Sequence, residues 1–214
     1  MGTRHLILVF YKGDYHIAQY GQLDGYPSGE GVRILEFAST SNNLTMLKFS
    51  ISKGLLYTPT NEQLQAWKAQ AFDLGQERQH QVLTNPASVN WEEHRKYPME
   101  VVCPSIAAHI SAGILQLVAN SADPVPIVKH LDFIADLLYC EWAYVLDLDE
   151  HVLEVYCPGA RSIEGLESSR FDALECVKKL EKKGITMVAK FKLDELPDAD
   201  EFVRRCNGGS DDSD

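Results

Sequence analysis

Apolar side chains change their spacing several times along this chain, and each change marks an element. His5–Tyr11 is a continuous apolar run (HLILVFY), which predicts a strand buried on both faces. Lys12-Gly13-Asp14 is a hairpin turn signal, and residues 15–20 return as the second strand. With Tyr11 opposite Tyr15, Val9 falls opposite Ile17, Ile7 opposite Gln19 and His5 opposite Gly21. That register lays Gly2, Thr3 and Arg4 alongside Gln22, Leu23 and Asp24, so the N-terminus and the following loop share one end of the hairpin.

Helical spacing follows. Residues 32–39 predict a short helix, and residues 42–53 a second with Leu44, Leu47, Ile51 and Leu55 on one stripe. Thr60-Asn-Glu-Gln63 is a capping box opening a helix with Leu64, Trp67, Ala71 and Phe72 as its apolar face. Residues 75–98 show no clear period. Ser105 caps an apolar helix over 106–120, and 127–139 predict another with Leu131, Ile134, Leu137 and Leu138 inward. Residues 142–148 and 152–156 form a second hairpin around 149–151. An amphipathic helix over 166–183 stops at Gly184. Residues 185–193 make a fifth strand with Ile185, Met187, Ala189 and Phe191 on one side, and 198–206 a short acidic helix. Two hairpins and a lone strand separated by helices predict an α+β fold with a mainly antiparallel sheet. Residues 1–207 read as one domain and 208–214 as a disordered acidic tail.

A formal net charge of -11 argues against nucleic acid as a partner, because phosphate backbones are held by Lys and Arg. The densest basic stretch, Lys178 to Lys183, alternates with Glu175 and Glu181 and reads as a solvated helix face. No apolar run is long enough to span a membrane, and no signal peptide is recognisable. The five cysteines are scattered without CxxC spacing, which suits free thiols and a cytoplasmic protein.

The segment QYGQLDGYPSGEG over residues 19–31 stands apart. It packs four glycines, a proline, two tyrosines and two carboxylates into one loop, more shape-setting residues than a plain connector needs. Gln19, Gln22, Asp24, Tyr26, Gly29 and Glu30 are the ligand-binding candidates, and the expected partner is a small molecule or a protein. A phosphate cradle is disfavoured: there is no Gly-Lys-Ser/Thr, and Asp24 and Glu30 repel anions. The alternative is an amide hydrolase of the N-terminal-nucleophile kind, with Thr3 attacking and Arg4 and Asp24 in support. That mechanism requires Thr3 to become the first residue. The seven histidines show no metal-ligand spacing, the Asp147-Asp149-Glu150 turn is a weak oxygen cluster, and no cofactor is indicated. Trp91, in the aperiodic 75–98 stretch, is expected to be accessible.

The opening MGTRHLI, the hairpin and the AQYGQLDGYPSGEG segment together resemble an uncharacterised family of fungal, bacterial and phage proteins with no established activity. Members carry a QYGQWDGYP segment, and Leu23 stands here where that family has Trp. Residues 141–149, EWAYVLDLD, are similar to a segment of its fungal members. The resemblance implies a shared fold and a fungal-type cytosolic protein.

Overall fold

A computed structural model describes residues 2–158, 169–180 and 185–208. The apolar run His5–Tyr11 forms strand β1, and Asp14–Gly21 returns beside it as β2. Val9 faces Ile17, Ile7 faces Gln19 and His5 faces Gly21, as the sequence pattern requires. Nearer the turn, a bulge between Val9 and Phe10 shifts the pairing, so Phe10 faces Tyr15 and Tyr11 faces Asp14. Lys12 (φ 51) and Gly13 (φ 78) take the left-handed conformation that a two-residue hairpin turn demands.

The chain then forms helices α1 (Val32–Ala38) and α2 (Ser41–Ser52), a two-residue strand β3 (Leu56–Tyr57) and a long helix α3 (Asn61–Thr84). The expected capping box opens α3: the Gln63 amide donates to Thr60 Oγ1, and the Thr60 amide donates to Gln63 Oε1. Short helices α4 (Trp91–Arg95) and α5 (Pro98–Val102) lead to α6 (Gly113–Asn120) and to β4 (Val125–Pro126), which pairs in parallel with β3. Strands β5 (Trp142–Asp147) and β6 (Val152–Pro158) are the second hairpin. One turn of helix α7 (Glu175–Lys178), strand β7 (Ile185–Lys192) and helix α8 (Ala199–Cys206) complete the described chain.

The main sheet runs β2-β1-β5-β6-β7. It is mixed rather than purely antiparallel, because the two hairpins join through a parallel β1–β5 pair. Parallel neighbours need a long crossover, and residues 22–141 with most of the helices supply it. Both faces are covered. Ile7, Val9, Tyr144 and Leu146 pack against α1, α2, α6 and α8, while Leu6, Leu8, Ala143 and Val145 pack against Ile134, Phe171 and Val177. This two-sided burial is why β1 and β5 read as continuous apolar runs.

Several predicted helices are shorter than their patterns. Residues 106–112 turn instead of coiling, since the Ala107 carbonyl accepts from Gln19 and the Ala112 amide donates to Glu30. Residues 127–139 carry only a 3₁₀ turn at Leu131–Ala135. The Ile127 and His130 amides donate to Tyr57 and Ala18 instead, and Leu138 is exposed rather than inward. Of the predicted 166–183 helix, the described part holds only α7; Gly184 and the 209–214 tail lie outside the described residues. Conversely α3 runs straight through Gly75, although Phe72 is exposed and Ala71 alone of its residues is buried. In β7 a bulge opposite Val155 and Tyr156 sends Ile185 and Met187 to one face of the sheet and Ala189 and Phe191 to the other.

Candidate functional site

The 21–31 loop is folded around a histidine. His5 is fully buried, and its ring lies between two glycine backbones. A Cβ on Gly21 would fall 2.1 Å from His5 Nε2, and one on Gly25 would fall 2.7 Å from Nδ1, so no side chain fits at either position. Nδ1 is 3.5 Å from the Thr3 carbonyl, and Nε2 has no hydrogen-bond partner among the described residues. Burial pushes the imidazole pKa down to about 4, against smaller upward pulls from the Thr3 carbonyl and the Asp24 charge. The ring is therefore neutral at pH 7.

Hydrogen bonds fix the loop backbone on several sides. The Gly25 amide donates to the Thr3 carbonyl (3.1 Å), and the Glu30 amide donates to the Asp24 carbonyl (2.9 Å). Pro27–Gly31 forms a wide turn in which the Gly31 amide reaches back to the Tyr26 carbonyl (3.2 Å). Asp24 adopts φ 56, a left-handed conformation that Asp tolerates better than most residues. From β5, the Tyr144 hydroxyl donates to the Gly25 carbonyl at 2.9 Å. Glu30 is the clamp at the far end: Oε2 accepts from the Ala112 amide (2.8 Å) and Oε1 from the Arg33 guanidinium (2.7 Å).

The candidate residues thus divide. Gln19 is buried, and its Nε2 donates to the Tyr20 and Ala107 carbonyls (both 3.1 Å). Gly29 and Glu30 sit inside the loop. Gln22, Asp24 and Tyr26 face solvent together with Leu23, and Tyr26 is 50% exposed. Tyr20, by contrast, packs edge-on against Phe133. Of the alternative set, Thr3 and Asp24 are brought together through Gly25, but Thr3 is only 5% exposed. Arg4 instead lays its guanidinium 4.6 Å above the Tyr139 ring. Gly2 meets Leu23 and Gln22, as the register implies.

Sequence reasoning placed His5 opposite Gly21 without recognising it as the centre of the loop. It also missed Tyr144 and Ala112, whose contacts arrive from β5 and the start of α6. Of a second polar cluster the sequence showed only the Asp147-Asp149-Glu150 turn, not its partners Glu154 and Arg170. Asp147 and Glu154 are both buried, and Arg170 forks between them, with its Nη1 2.9 Å from Glu154 and its Nη2 on Asp147. The Tyr156 hydroxyl donates to Glu154 (2.9 Å), and Arg170 stacks over Phe10 (4.7 Å). Asp147 also accepts from the Asp149 and Glu150 amides. Asp149 in turn accepts from the Lys12 and Gly13 amides, which tie the two hairpin turns together and hold its carboxyl below the usual range. These carboxylates are engaged internally, and no group of three or more His, Cys, Asp or Glu suited to a metal ion occurs among the described residues.

No helix among the described residues is long and apolar enough to cross a membrane. No family model, no curated protein and no solved structure matches this chain.

Proposed function

We propose that this protein is a binding domain that presents the tip of the 21–31 loop to a protein partner. One observation carries the reading: the loop backbone is held from within by His5, Thr3, Tyr144 and Glu30, while Leu23, Asp24 and Tyr26 point outward with no comparable internal task. A rigid loop displaying an aromatic and an aliphatic side chain around a carboxylate loses little conformational entropy on association. Exposed tyrosines on such platforms make good anchors.

The test places a photo-crosslinking amino acid at Ser28, an exposed position beside Tyr26, in the native host. A discrete adduct should form, and it should vanish in Tyr26→Ala and Asp24→Asn with melting temperatures within a few degrees of the parent. Asn is chosen because it tolerates the positive φ at position 24. An adduct insensitive to both changes refutes the reading, and a large loss of melting temperature reduces the loop to a connector. The Thr3 hydrolase requires a mature chain that starts at Thr3 and an accessible hydroxyl. The burial of Thr3 favours the binding reading, and N-terminal mapping of purified protein separates the two.

A further inference from the structure

Away from the loop, the long helix α3 and the 86–98 segment that folds back along it flank an open, shallow cleft of about 270 Å3. Arg78 and Val82 line it from α3, and His94, Arg95, Lys96 and Tyr97 from the returning segment. No aspartate or glutamate lines this lobe. In a chain of net charge -11 that is a marked local reversal of sign. We infer that this lobe is a binding site for an oxyanion carried on a flat apolar body, a carboxylate or a phosphate ester.

The cationic groups differ in their freedom. The Lys96 ammonium is paired with Glu93 at 2.9 Å, and His94 Nε2 lies 3.2 Å from Gln81 Oε1. Arg78 donates from Nη1 to the Lys96 carbonyl at 2.6 Å, which fixes its guanidinium at the cleft wall without neutralising it. Arg95 has no ion-pair or hydrogen-bond partner among the described residues. Two guanidiniums that keep their charge and most of their donors, one of them preset, match the forked geometry an oxyanion takes. Tyr97 stacks its ring on His109 at 3.4 Å and so offers a braced aromatic wall, with Val82 as apolar floor. Arg78 and His94 also line a separate pocket of about 240 Å3, where Glu77 and Glu93 appear. The volume suits one small group rather than a large ligand.

The test is calorimetric titration of the full chain with phenyl phosphate, benzoate and the neutral benzamide. One or both anions should bind saturably and more weakly as salt is added, and benzamide should not bind. R95Q, at an exposed side chain without a structural partner, should weaken anion binding about tenfold, and R78Q at least as much. The tighter of the two anions names the oxyanion. Failure of both to saturate, equal binding of benzamide, or anion binding unchanged in R95Q overturns the site.

Discussion

Protonation of His5 should be a principal acid weakness of this fold, and its size follows from its surroundings. In the unfolded chain the imidazole titrates near its ordinary value of 6.5, whereas in the folded protein burial lowers it to about 4. Between those values the unfolded state binds a proton that the folded state refuses. The stabilisation is complete above pH 6.5 and is lost progressively as pH falls toward 4. Each unit is worth about 1.4 kcal/mol, so the full loss is about 3 kcal/mol, a large share of a typical domain's stability. The structural reason is visible at both nitrogens: Nδ1 has the Thr3 carbonyl, but a proton on Nε2 points at the Gly21 backbone with no acceptor. The assay is urea unfolding at half-unit steps from pH 7 to 4.5, for the parent and for His5→Asn, which keeps a donor near the place of Nδ1 and does not titrate. The variant starts less stable because it leaves a gap beneath the loop, but its stability should fall less steeply with acid, by close to one proton. Carboxylates titrate in both proteins and cancel in the difference. Parallel pH profiles for the two proteins would refute the reasoning, as would a His5 imidazole NMR titration with a midpoint near 6.5.

Two further substitutions test the packing. Arg170→Met removes the cation shared by buried Asp147 and Glu154, and it should cost about 3–5 kcal/mol in urea unfolding near pH 7, since two carboxylates are left without their main partner; a loss below about 1 kcal/mol would show that Lys190 and the backbone amides suffice. Gly21→Ala drives a methyl into the His5 ring and should cost about 1–3 kcal/mol in the same assay, while a near-neutral result would mean the ring has room to move aside.

What could be read from the sequence depended on how local the cause was. The register of the first hairpin was legible from Val9 to His5, although the turn was not: the reading put Tyr11 opposite Tyr15, whereas the two-residue turn puts it opposite Asp14 and the bulge between Val9 and Phe10 restores the expected pairs. The Thr60 capping box was equally local and appears as expected. The helices over 106–112 and 127–139 failed for the opposite reason. Their apolar periods were real, but their backbone groups are claimed by Gln19, Glu30, Tyr57 and Ala18, none of which is near in sequence. Helix α3 hid its length because it is solvated on most sides, so no buried stripe wrote a period into residues 75–84. The parallel β1–β5 pairing leaves no trace that a hairpin count can detect.

The candidate loop shows the same boundary between local and distant causes. Its glycine count signalled a fixed shape, and the register brought Thr3, His5 and Gly21 to one end of the hairpin. The use of that shape lies in partners from β5 and α6, and these sort the polar residues of the segment into two kinds. Gln19 and Glu30, two of the binding candidates, are engaged by Ala107 and by Ala112 with Arg33. The side chains left outward are Gln22, Leu23, Asp24 and Tyr26, a surface of mixed polarity rather than an array of acids and bases. Had Glu30 faced outward beside an open Thr3, proton transfer would have been the natural reading. Because Gln19 and Glu30 are consumed in holding the loop, the outward Gln22, Leu23, Asp24 and Tyr26 are the side chains on which the proposed recognition rests.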